Sequence, residues 1–320
     1  MKVLVLPEWA APFCDSLRQK YPGIELVRAE STGSANINIR DAEVLFGYPT
    51  ADQFASATKL KWIQTLDAGM EGLFNNVPKV VHSNVIVTNA RGAGAPMIGE
   101  HGLAMMFALA RQFPRFFEDK KAHRWNQDGA LEVVEFLGDK TAGVIGFGKS
   151  GREIAWRCQA MGMKVLAVDS EPVDGDPIVD DVWTLDRLPD LLRESDYVVV
   201  TAPYSSSSMK MIGENELAMM KKSARLIVTS RGRVYDNAAL AAALHNGTIA
   251  GAAVDAVEIE PMGPESELWD APNLIITPHI AGNAEQEMLD RRTFNIFEEN
   301  LGRYIGGRPL INLVDKVKQY

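Results

Sequence analysis

The stretch "VIGFGKSG" at residues 144–151 decides the fold. It sets Gly146, Gly148 and Gly151 in G-x-G-x-x-G spacing, which is weak evidence alone and much stronger in the right context. Here "KTAGVIG" before it reads as a buried strand and "SGREIAWRCQAM" after it as a helix. The first glycine allows a tight turn. The second lets a pyrophosphate reach the backbone, and the third lets helix and strand pack closely. The helix N-terminus then faces the phosphates. Asp169 ends the next strand, "KVLAVD", eighteen residues past Gly151. A carboxylate there can accept both ribose hydroxyls and repels a 2′-phosphate, which selects NAD over NADP.

Working outward, the alternation continues. "LDRLPDLLRES" reads as a helix, "DYVVVTAP" and "ARLIVTS" as strands, "DNAALAAALHNG" as a helix, and "IAGAAVDAV" and "LIITPHIAG" as buried strands. This pattern predicts a doubly wound parallel sheet. The first 90 residues repeat it with "KVLVL", "IELVRA", "EVLFGY", "LKWIQTLD" and "VIVTN", apolar enough to be covered on both faces. "RGAGAP" at 91–96 reads as a linker and 170–181 as a solvated acidic loop. Between them, "MIGEHGLAMMFALARQF" is a helix apolar on nearly all sides, expected in a core or against a partner chain. Met97, Leu103, Met106 and Leu109 are the residues expected to build a homodimer.

Composition excludes several classes. The 320 residues are 46% hydrophobic, enough for two domains, and the formal charge of -9 argues against nucleic acid or an anionic membrane as partner. No apolar run is long enough to span a bilayer, and the N-terminal "MKVLVLPEWA" reads as a first strand and not as a signal peptide. Two cysteines, Cys14 and Cys158, build no disulfide framework, so a reducing cytoplasm is expected. No metal site is read from the chain.

Three pieces with ionisable residues lie at or after strand exits in the same half of the chain. Arg231 follows "VTS", Asp255 and Glu260 stand in "VDAVEIEP", and His279 follows "LIITP". Ligands of open α/β sheets bind beyond the carboxyl ends of strands. Taken singly, each residue has a structural reading. Together, beside a dinucleotide loop, they point to chemistry.

With these pieces the chain resembles the D-isomer-specific 2-hydroxyacid dehydrogenases. The resemblance rests on "GVIGFGKSGREIA", "VTSRGRVYDNAALAAAL", "GAAVDAVEIEP" and "LWDAPNLIITPHIAG", and extends to "LDAGMEGL", "GAPMIGEHGLAMMFALAR" and "GGRPLINLVD". It implies two Rossmann-like doubly wound α/β domains. An NAD-binding domain (94–283) would be inserted into a flavodoxin-like substrate domain (1–93 and 284–320), with hinges at "RGAGAP" and near "AGNAE".

The resemblance also implies roles: Arg231 clamps the substrate carboxylate, His279 is the acid–base, and Glu260 holds and tunes the histidine. The amides of Gly69 and Met70 would meet the substrate carboxylate, although relatives often have Asp where this chain has Glu71. Asp255 would contact the nicotinamide carboxamide. Lys149, Ser150, Ala202, Pro203, Thr229, Ser230 and Gly282 complete the cofactor set. Tyr48, Met70, Met262 and Met288 are candidates for an apolar pocket wall. The implied reaction moves a hydride between NAD and a small 2-hydroxy or 2-oxo acid. The alternatives are an NAD(H)-sensing binding protein of corepressor type and a sister activity such as phosphite oxidation. Formate oxidation is disfavoured, because those enzymes usually carry Gln where Glu260 stands.

Overall fold

The computed structural model describes residues 1–317 except 174, 175, 180 and 284. The loop expected at 170–181, the hinge expected near 281–285 and the end of the tail therefore lie partly outside the described residues. The chain divides into two compact units, Met1–Gly94 with Glu285–Tyr320, and Ala95–Ala284.

The first unit carries β1 (Lys2–Val5), β2 (Glu25–Arg28), β3 (Val44–Phe46), β4 (Trp62–Gln64) and β5 (Ile86–Thr88). All pairings are parallel, in the order β2-β1-β3-β4-β5, the flavodoxin-like arrangement. The 20-residue helix Gln286–Ile305 returns to this sheet. Its Phe294 and Phe297 rings lie on Phe46, with centroids 5.7 and 4.5 Å away, and Tyr304 stacks on Trp62 at 5.4 Å. Each fully buried phenylalanine contributes about 1.5–3 kcal/mol. Beneath the rings runs a buried polar chain. Trp62 Nε1 donates to Thr88 Oγ1 (2.7 Å), and Thr88 and Asn300 both donate to Gln64 Oε1 (2.8 and 3.0 Å). Beyond it, Leu313 bridges Thr88 in antiparallel fashion, which covers the free edge of β5.

The second unit carries β6 (Thr141–Ile145), β7 (Lys164–Asp169), β8 (Val182–Thr184), β9 (Tyr197–Val200), β10 (Arg225–Val228), β11 (Gly251–Val254) and β12 (Leu274–Ile276). The parallel order is β12-β11-β10-β9-β6-β7-β8. Strand order reverses between β6 and β9, and that reversal creates the crevice where ligands of such sheets bind.

One expectation changes. "LIITPHIAG" is not a fully buried strand: β12 forms the edge of its sheet, its three residues are half-buried, and it stops two residues before Pro278. The apolar helix, Ala95–Ala110, finds its cover inside its own unit. It packs on the helix Lys149–Ala160 and on β10 and β11, so Met97, Met106 and Leu109 are buried without any partner chain. Among the described residues, no helix is long and apolar enough to cross a membrane.

Candidate active site

The glycine loop runs from β6 into the helix Lys149–Ala160, beside the strand-order reversal. Gly146 has φ +91°, and a Cβ there would stand 2.7 Å from the Ala202 backbone nitrogen, so only glycine fits. The Thr201 hydroxyl donates to the Gly146 carbonyl (2.6 Å) and fixes the loop against the end of β9. Gly151 has no room for a Cβ either, because the Gly146 carbonyl oxygen occupies the place. Gly148 differs: a Cβ there would meet nothing within 4 Å. It is the N-cap of the helix and makes no side-chain cap hydrogen bond, while Lys149 and Ser150 form the first turn. Asp169, at the end of β7, accepts from the Phe147 amide (2.6 Å) and the Glu171 amide (2.9 Å). Four lone-pair sites leave it capacity for further donors.

Opposite, Ala202 and Pro203 follow β9, and Thr229 and Ser230 follow β10. The hydroxyl oxygens of Thr229 and Ser230 are buried and have no hydrogen-bond partner among the described residues. Buried polar atoms of that kind call for a ligand donor or acceptor. An open Gly148, uncapped helix amides and two orphaned hydroxyls fit a dinucleotide lying across these strand ends. Gly282 lies past β12, with Ile98 the nearest group to its missing Cβ at 3.8 Å.

The reactive groups leave three adjacent strands. Val228, Val254 and Ile276 lie side by side in register at the ends of β10, β11 and β12. Arg231 and His279 are each three residues beyond those ends, on strands about 10 Å apart by the usual spacing. Arg231 is half-buried, and its guanidinium donates to the Ser230 carbonyl (3.0 Å). Glu260 folds back after β11. Its Oε1 accepts from the Val257 amide (3.0 Å), and its Oε2 lies 2.7 Å from His279 Nδ1. The two side chains are 38% and 41% exposed, so the pair is open to solvent on one side.

Asp255 directly follows β11. Its side chain is 1% exposed. Its carboxylate accepts from the Thr277 hydroxyl (2.6 Å) and from the amides of Ile280 (2.9 Å) and Ala281 (2.8 Å). Those bonds tie it to the turn that carries His279, and Oδ2, with one donor, keeps a lone pair for a further partner. Sequence reasoning missed His101, whose Nε2 lies 3.0 Å from Thr277 Oγ1. The available signal was one imidazole in an otherwise apolar helix.

In the first unit, Gly69 and Met70 precede the short helix Glu71–Asn76. Their loop is tied down by Asn89 Nδ2 to the Ala68 carbonyl (2.8 Å) and by the Tyr48 hydroxyl to Asp67 (2.8 Å). Burial and the Asp67 carboxylate push the Tyr48 phenol up from its ordinary value. Met70 is not a pocket wall, because its side chain is buried in the core of this unit. Met262 is half-buried against the other unit's core, and Met288 is exposed.

Comparison with known proteins agrees with this architecture. Residues 103–281 match the family described as "D-isomer specific 2-hydroxyacid dehydrogenase, NAD binding domain". A glycerate dehydrogenase of Methylorubrum extorquens is 34% identical, over 81% of this chain and 80% of that protein. The chain spans about half the length of the phosphoglycerate dehydrogenases it matches, as in Synechocystis (32% identical over 84% of this chain, 50% of that protein). Among solved structures, a D-isomer specific 2-hydroxyacid dehydrogenase family protein from Aeromonas salmonicida superposes with a TM-score of 0.81. It is 28% identical and covers 98% of this chain and 99% of that one. The chain thus belongs to the family of D-isomer specific 2-hydroxyacid dehydrogenases and is an NAD-linked oxidoreductase.

Proposed function

We propose that the protein interconverts a small 2-oxo acid and its 2-hydroxy acid, with His279 as acid–base, Glu260 as its partner and Arg231 as the carboxylate clamp. The observation that carries this reading is the 2.7 Å contact between His279 Nδ1 and Glu260 Oε2. It fixes the ring and leaves Nε2 for the substrate oxygen. Bound NADH supplies the hydride that reaches the carbonyl carbon. Arg231 holds the substrate carboxylate with two parallel hydrogen bonds and polarises the neighbouring carbonyl. As negative charge develops on oxygen, His279 delivers its proton there, and Glu260 supports the cationic ring until it does. In the oxidation direction His279 takes the proton back. The amides of Gly69 and Met70 add to carboxylate binding, and residues 1–93 with the C-terminal tail serve as the substrate domain around residues 94–283.

The same reading includes a preference for NAD(H), on the strength of Asp169. It includes a homodimer built on the exposed Phe107, Phe113, Phe117, Trp125 and Phe136 instead of the buried methionines. It also includes a reducing cytoplasm as the workplace. Cys14 and Cys158 are free and buried, and burial pushes the Cys158 thiol up to about 12. The deciding experiment follows NADH oxidation by the purified protein against a panel of 2-oxo acids, including glyoxylate and hydroxypyruvate. Steady turnover of at least one supports the reading. Tight NADH binding with no turnover on any of them supports a nucleotide-sensing protein instead.

A further inference from the structure

We infer that His101, in the helix Ala95–Ala110, is a positioning residue for the turn that presents His279; as a statement about catalysis this rests on the reading of His279 above. The turn has a conformation that must be held. His279 has φ +54°, a left-handed backbone that costs a side-chain-bearing residue about 1–2 kcal/mol. Its amide donates to the Asp255 carbonyl (2.7 Å), and the next two amides donate to the Asp255 carboxylate. Asp255 therefore holds the turn at three consecutive residues. The Thr277 hydroxyl spends its one hydrogen on Asp255 Oδ1, so its oxygen can only accept from the ring nitrogen 3.0 Å away. His101 therefore donates from Nε2, which settles the orientation of the Thr277 hydroxyl. The same nitrogen lies 3.6 Å from Asp255 Oδ1. The chain His101–Thr277–Asp255 thus links a helix at the start of the unit to the turn past its edge strand. Because β12 is an edge strand, pairing on one side only supports that turn, and the network supplies the missing restraint.

The test compares three substitutions at one position. Glutamine carries its amide nitrogen as many bonds from the backbone as Nε2, asparagine one fewer, and alanine none. Amide hydrogen exchange at residues 279–281 should be faster in His101→Ala and His101→Asn and near wild type in His101→Gln. With the best 2-oxo acid, kcat should fall about tenfold in the first two, the scale of a small misplacement of a reacting group. KM and NADH affinity should stay within about twofold, and His101→Gln should recover the rate. Thr277→Val should match His101→Ala, and the double variant should be no worse than either alone. Unchanged exchange in His101→Ala, or failure of glutamine to restore it, overturns the inference. The exchange contrast needs no substrate. A protein that turns over no 2-oxo acid would defeat the reading above while that contrast still decided the role of His101 in the turn.

Discussion

Replacing Gly148 with alanine should make the protein slightly more stable and weaken NADH binding, whereas Gly146→Ala should destabilise the unit. At Gly148, φ is -74° and ψ is -163°, which alanine adopts freely, and the new methyl meets nothing within 4 Å. Folding therefore costs nothing extra, and the stiffer unfolded chain favours the native state by about 0.4–1 kcal/mol. The methyl instead occupies the space through which a phosphate reaches the loop amides. Loss of one charge-assisted hydrogen bond there costs about 1.5–3 kcal/mol, or roughly 10- to 100-fold in affinity. At Gly146 the methyl would lie 2.7 and 2.8 Å from the nitrogen and Cα of Ala202, backbone atoms that cannot swing away. The overlap costs about 1–3 kcal/mol, and the positive φ about 1–2 kcal/mol more. Urea denaturation and fluorescence titration with NADH measure the two effects separately. The reasoning is refuted if Gly148→Ala binds NADH like wild type, or if it unfolds as early as Gly146→Ala.

Asp169→Ala should weaken NADH binding and narrow the preference over NADPH, read from kcat/KM for both cofactors; a wild-type protein that prefers NADPH would contradict the assignment. Arg231→Ala should raise KM for the 2-oxo acid and lower kcat together, because the guanidinium both grips and polarises; an unchanged KM would remove it from the substrate site. Glu260→Gln should lower kcat for 2-oxo-acid reduction and leave NADH affinity near wild type, because the carboxylate that holds His279 Nδ1 is lost. An unchanged kcat would separate Glu260 from the chemistry.

Much of the fold was legible because buried parallel strands leave long β-branched runs and their crossover helices leave a second period. That Glu260 and His279 can converge was legible for a related reason, since both follow strand ends in one half of the chain, whereas their hydrogen bond was implied only by the family resemblance. The hydrogen bonds of Asp255 were not legible. They run to backbone amides of Ile280 and Ala281, and amides leave no trace in residue identity. For the helix Ala95–Ala110 the sequence left core and partner chain open, because an all-round apolar surface says that cover exists but not which layer provides it. Here a sheet and the helix Lys149–Ala160 supply it. Met70 misled: it stands in the substrate loop by sequence, yet its side chain turns into the core. The helix Gln286–Ile305 hid behind its charges, with Phe294, Phe297, Leu301 and Tyr304 marking its buried stripe.

The central claim is that His279 moves the proton, and the most direct measurement is kcat of His279→Ala per folded, NADH-competent molecule. NADH titration first fixes the concentration of competent sites, which the substitution should leave intact because the glycine loop is untouched. The account predicts a kcat lower by roughly two to four orders of magnitude, the scale of a general acid. Turnover near that of wild type in the folded fraction, with only thermal stability reduced, would make His279 a packing residue and contradict the mechanism.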